Sequence, residues 1–172
     1  MFEVLVFVYE NYWRGDACPQ WRQLERKLNA VGFEAQDIED ALTWLNGLSQ
    51  ATDNSQPHSG RGKTNNDPIP AAQTDRFAVA SSANSMRVFS VAEQYRLGAQ
   101  CLGFIRFLEG ANVLAPHMRE IVVDRAMASG ADTLSLEDLK IIILMVYWSF
   151  GEEPDALVLD ELCDDASDRI AH

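Results

Sequence analysis

Apolar side chains recur at helical spacing through most of the chain, beginning with Phe2, Leu5, Val6, Val8, Tyr9, Tyr12 and Trp13. Their i, i+3, i+4, i+7 recurrence predicts an amphipathic helix ending near Gly15. A second helix is expected from about Pro19, a good first-turn residue, with Trp21, Leu24, Leu28 and Val31 inward and Gly32 as its stop. The third should run roughly from Ala35 to Leu48, with Ile38, Ala41, Leu42, Leu45 and Leu48 on its apolar stripe and Trp44 at the edge of it.

The pattern then fails. Residues 51–85 are rich in Ser, Asn, Gly, Pro, Ala and Gln, and Phe77 is their only aromatic. Such a composition buries too little apolar surface to offset chain entropy, so the segment reads as a linker between an N-terminal helical part, 1–50, and a C-terminal one, 86–172.

The second part opens with a short extended Arg87–Phe89 stretch and then Ser90, with Glu93 three residues on, which is a capping-box pattern. The helix it starts should reach about Glu109, with Leu97, Cys101, Phe104, Ile105 and Leu108 inward. Pro116 opens a fifth helix that ends before Gly130, and Ser135 with Asp138 caps a sixth. A last, acidic helix is expected over about 154–166, with Leu157, Leu159 and Leu162 inward and Asp160, Glu161, Asp164 and Asp165 toward water. No stretch alternates long enough for a sheet, and no repeat of roughly 20–50 residues is evident. The expected fold class is all-α, with about seven helices.

The sixth helix contains eight consecutive apolar or aromatic residues, Ile141 to Trp148. As a helix they span about 12 Å against roughly 30 Å of hydrocarbon, too short to cross a membrane. Ile141, Met145 and Trp148 form one stripe, and Leu139, Ile143, Val146 and Phe150 another nearly opposite. A helix apolar on both sides belongs at the centre of its domain; a hydrophobic partner or ligand groove is the alternative.

Composition narrows the classes further. The 172 residues, 47% of them hydrophobic, suffice for a substantial core. The apolar start carries Glu3 and Glu10 and lacks the basic region of a secretory signal. Cys18, Cys101 and Cys163 are far apart and without a Cys-x-x-Cys pair, which fits reduced thiols in a cytoplasm. Of the net charge of −12, residues 131–172 hold 11 acids and 2 bases. That acidity disfavours nucleic-acid phosphates unless the bases cluster on one face.

No enzyme signature appears. His58, His117 and His172 lack partners at metal-ligand spacing, and Cys101, on an inward stripe, reads as an inert buried thiol. Glycines in "ASGAD" and "HSGRGK" lack the strand and helix context of a phosphate loop. The carboxylate pairs Asp37 with Asp40 and Asp164 with Asp165 read as solvated charge. No catalytic residue, metal or cofactor is therefore expected.

Two features point to partners. "QLERKLNAVGFEAQDIEDALTWL" joins two helices through a Gly-Phe turn, a helix-turn-helix-like unit, yet its second helix offers Glu34, Gln36, Asp37, Glu39 and Asp40 where DNA readout needs cations. A protein-docking role suits it better, and similar short units occur in ubiquitin-associated domains and in RecX-type recombination regulators. Basic residues concentrate at Arg22, Arg26 and Lys27, and again at Arg87, Arg96, Arg106, Arg119 and Arg125. Ordinary pairing, Arg96 with Glu93 and Arg106 with Glu109, is the plain account of several. A basic face for an acidic protein segment or RNA is the other.

Taken together, "MFEVLVFVYENY", "KLNAVGFEAQDIEDALTWLNGL", "SMRVFSVAEQYRLGAQCLGFIRFLE", "REIVVDRAM" and "LSLEDLKIIILMVYW" resemble the bacterial Smg family, also carried as a domain of unknown function. The resemblance is collinear and covers essentially all of the chain outside 51–85. The family pattern has an Arg before the Gly-Phe of the fourth helix, where this chain has Leu102, and this chain adds Arg106 after it. The resemblance implies a bacterial, cytoplasmic protein, often encoded beside a DNA-processing protein of natural transformation, and brings no catalytic residues with it. The expectation is thus a non-enzymatic adaptor or regulator, contacting an unidentified protein partner through the basic residues above or through Asp160, Glu161, Asp164 and Asp165. Nucleic-acid binding by a basic ridge is the alternative.

Overall fold

The computed structural model describes residues 1–12, 21–55, 87–130, 132–152 and 154, the Trp21 side chain excepted. Among these residues are six helices and no strand: α1 (Phe2–Tyr12), α2 (Trp21–Val31), α3 (Ala35–Ser55), α4 (Val91–Gly110), α5 (Pro116–Met127) and α6 (Leu136–Phe150). The all-α class holds. The expected seventh helix, 154–166, lies outside the described residues apart from Pro154, as does nearly all of the 51–85 segment.

Helix starts follow the local chemistry. Ser90 accepts from the Glu93 N–H while the Glu93 carboxylate accepts from the Ser90 N–H, a complete capping box. Ser135 caps α6 by accepting from the Asp138 N–H at 3.0 Å, and Gly151, at φ 67°, ends it in the left-handed conformation. Pro116 occupies the first turn of α5. Within α4, Gly98 leaves helical geometry at φ 65° and ψ 175°, which kinks the helix. The Arg96 carbonyl beside that kink accepts from the Leu134 N–H at 2.8 Å.

Helix α6 is central. It packs against α1, α3, α4 and α5, and Leu139, Ile142, Ile143, Met145 and Val146 are wholly buried. Of its two expected stripes, that of Ile141, Met145 and Trp148 is fully buried only at its middle, because Ile141 and Trp148 lie half-buried. Trp148 Nε1 donates to the Tyr12 carbonyl at 3.4 Å, and the Ser149 hydroxyl meets that of Thr52 at 3.0 Å. Tyr147 donates its hydroxyl to the Val113 carbonyl. One hydrophobic core therefore takes Val4, Leu5 and Val8 of α1 and Trp44, Leu45 and Leu48 of α3 together with α4, α5 and α6. It is continuous across the division expected at the linker.

Four details differ from the sequence pattern. Helix α3 continues through Ser55, five residues into the supposed linker, because Thr52 faces the core and bonds to Ser149. Trp44, expected at the edge of its stripe, is 3% exposed. Val31, the last residue of α2, is 56% exposed, although helical spacing puts it on the same stripe as the buried Leu24 and Leu28. Phe104 is half-buried, stacking with exposed Phe107 at 6.4 Å between ring centroids.

The end of α2 places the following helix. Gly32, at φ 104°, donates its N–H to the Leu28 carbonyl, and the Phe33 N–H does the same. Phe33 then packs edge-on against Phe7 at 5.6 Å. Helix α2 packs on α3 and, among its described side chains, buries Leu24 and Leu28; it forms the outer layer.

Met145→Asp would place an uncompensated charge at the meeting point of four helices, at a cost above about 4 kcal/mol. The expected outcome is loss of the cooperative thermal transition in circular dichroism; a variant that keeps that transition contradicts the central placement of α6.

Candidate partner-binding surface

The arginines of the second part do not form a free basic ridge. Arg87 grips the Glu93 carboxylate with both terminal nitrogens, at 2.9 and 3.1 Å, and donates Nε to Glu120 at 2.9 Å. Arg119 reaches Glu120 at 2.7 Å and also pairs with Glu109. The Arg87 guanidinium lies 4.5 Å above the buried Phe89 ring, and that of Arg106 lies 6.0 Å from it. Three arginines and three glutamates thus gather around Phe89, and their charges cancel.

The expected pairs Arg96–Glu93 and Arg106–Glu109 do not form. The capping box turns the Glu93 carboxylate back toward Ser90 and into the reach of Arg87, and Arg119 of α5 takes Glu109 across the helix interface. Arg96 is half-buried beside the kink, with Nη1 closed off from solvent and unbonded. Arg125 stands apart from the Phe89 cluster. It lies against Gly47 of α3, pairs with Asp124 at 2.6 Å, and its carbonyl accepts from Trp44 Nε1 at 3.0 Å. A Cβ on Gly47 would fall 1.9 Å from the Arg125 guanidinium, so the glycine makes room for this α3–α5 latch.

The remaining basic set has a different environment. Arg22, Arg26 and Lys27 on α2 are exposed, and none has an ion-pair partner among the described residues. Arg22 and Arg26 lie opposite Leu24 and Leu28 on the helix, while Lys27 turns toward α1, 5.2 Å from the Tyr12 ring centroid. Asp160, Glu161, Asp164 and Asp165 lie outside the described residues.

The neighbouring helix carries the opposite charge. Glu34, just before α3, and Gln36, Glu39 and Asp40 along it are exposed. Asp37, beside them, accepts from the Met1 ammonium at 2.6 Å. Between α2 and α3 runs a groove of about 370 Å³, floored by Ile38 and Leu42 and flanked by Glu25, Asn29 and Glu39. Sequence reasoning missed it, because its walls are joined only by the Gly32 turn. Its two acids are fourteen positions apart in sequence, yet each stands on the inner flank of an amphipathic helix.

Chemistry of other kinds finds little footing. Cys101 is buried, with carbonyls of Leu134 and Ser135 each 3.6 Å from Sγ, and burial pushes its thiol up to about 11, far from a thiolate. His117 stacks edge-on against Phe150 at 5.4 Å. His58 and His172 lie outside the described residues. Among the described residues no three His, Cys, Asp or Glu side chains are placed to hold a metal, and no helix is long and apolar enough to cross a membrane.

Among the described residues the fold is all-helical, and its candidate functional features are charged outer faces. The chain belongs to the bacterial Smg family: the family described as "Protein of unknown function (DUF494)" matches residues 1–172. It is similar to the "Protein Smg homolog" of Methylibium petroleiphilum and to that of Leptothrix cholodnii, each 54% identical over 172 residues and the whole of both chains. That of Herminiimonas arsenicoxydans is 43% identical over 178 residues, again over the whole of both. The family is not known as an enzyme family. No solved structure matches the chain.

The Arg87–Glu93 pair has a measurable pH signature. The hydrogen bond from Arg87, helped by the Ser90 cap and opposed by burial, holds the Glu93 carboxyl at about 2, below its ordinary 4.5. A depressed acid stabilises the fold above its unfolded pKa, and that contribution is lost as pH falls from about 4.5 through about 2. Arg87→Gln is expected to flatten the fall of melting temperature across this window. An unchanged slope would show that the pair contributes nothing.

Proposed function

We propose that this protein is a non-enzymatic adaptor or regulator that acts through protein–protein contacts, with the α2–α3 unit as its docking surface. One observation carries the reading: Arg22, Arg26 and Lys27 are exposed on α2, and none has an ion-pair partner among the described residues. Exposed cations not committed to an internal partner confer specificity and fast association on a complementary surface. Of the other basic candidates, Arg87, Arg119 and Arg125 are engaged with carboxylates of the fold itself, Arg96 is half-buried at the α4 kink, and Arg106 lies over the Phe89 ring.

The partner presents acidic side chains to α2. Nucleic acid is the less suitable occupant, because a helix-turn-helix-like unit would lead with α3, and α3 presents Glu34, Glu39 and Asp40 to the phosphates. We place this action in the cytoplasm, near DNA processing or recombination, following the genomic setting that the family resemblance implies.

Arg22→Glu with Arg26→Glu tests the reading in the full-length tagged protein. Both sites are exposed, so the melting temperature should change little, while a partner captured from cells by the wild-type chain should be lost. Undiminished recovery of that partner would sink the proposal. So would nuclease-sensitive recovery of DNA or RNA that weakens steeply with salt.

A further inference from the structure

We infer that the groove between α2 and α3 receives one arginine or lysine side chain from the docked protein. The inference rests on the docking role proposed for α2–α3 and adds the chemistry of the contact.

The groove is built for a long cation. Its floor is apolar, with Ile38 2% exposed and Leu42 half-buried, and suits the methylene stem of such a side chain. Its flanks supply acceptors. Glu25 comes from α2 and Glu39 from α3, one carboxylate on each wall, and neither has a partner among the described residues. Asn29 spends one of its two amide N–H groups on the Glu25 carbonyl at 2.9 Å, and its side-chain oxygen is open as an acceptor. The Thr43 hydroxyl can accept as well. A rim carrying two carboxylates and more acceptors than donors fits a guanidinium or ammonium, which bring five and three N–H donors and no acceptor.

Alternatives fit less well. A bare divalent cation would want more oxygen ligands than two carboxylates and would leave the apolar floor unused. A carboxylate or phosphate would meet Glu25 and Glu39 directly. At about 370 Å³ the groove lies at the small end of ligand sites, the size for one anchoring side chain rather than a large cofactor. The placement also agrees with α2: Arg22 and Arg26 stand just outside the groove, so the occupant is a basic residue flanked by acids. That alternation of charge would set the register of the partner segment.

The test uses the full chain, isotopically labelled, titrated with N-acetyl-arginine N-methylamide and, separately, with the uncharged norleucine analogue. Saturable NMR shifts are expected at the Asn29 side chain, Leu42 and Thr43 with the arginine compound alone. Glu25→Gln with Glu39→Gln should weaken this binding at least about fivefold, since two ion pairs are lost. Arg22→Glu with Arg26→Glu should not weaken it. No saturable shift, shifts equal for norleucine, or shifts that survive the double glutamine variant would each overturn the groove assignment. A partner lost on Arg22/Arg26 reversal while the groove ignores arginine would leave the docking reading intact and remove this one; arginine binding with no captured partner would do the reverse.

Discussion

Burial of α6 is the constraint on which the rest of the fold depends. A fifteen-residue helix carrying a largely apolar sequence cannot face water on any broad side, so other elements must cover it. Helices α1, α3, α4 and α5 do so, two from each side of the long polar segment. Each fully buried Leu, Ile or Met there contributes about 1.5–3 kcal/mol of transfer free energy. The N-terminal helices thus belong to the core itself, and Trp148 and Ser149 reach across to Tyr12 and Thr52 to fix the fit.

What remains outside that core explains the surface. Helix α2 packs chiefly on α3, through Leu24 and Leu28, and most of its described side chains face solvent. Electrostatics divides along the same line. Where helices α4 and α5 meet, opposite charges are brought together and cancel around Phe89; on α2 and α3 most stay apart, with Arg22, Arg26 and Lys27 on one helix and Glu39 and Asp40 on the next. Charge that costs folding nothing to leave unpaired, in water, is available for another molecule.

Local signals made much of this legible in the sequence. Ser90 with Glu93, Ser135 with Asp138, Pro116, Gly32 and Gly151 act within one turn of chain, and their helices begin and end close to where those residues direct. Tertiary relations were less accessible. Helical spacing pairs Arg96 with Glu93, but a cap that turns Glu93 the other way depends on three-dimensional direction as well as spacing. The extension of α3 over "ATDNS" rests on a hydroxyl contact ninety-seven residues away in sequence. The groove was invisible for the same reason: Glu25, Ile38, Glu39 and Leu42 become neighbours only after the Gly32 turn folds α3 back along α2.

One core around α6 with α2 as its outer layer leaves a signature in native-state hydrogen exchange resolved along the chain. The inner amides of α1, α3, α5 and α6 are expected to open together at the global unfolding free energy, with α2 opening earlier. Exchange of α1 and α3 as a unit separate from α4, α5 and α6 would contradict it.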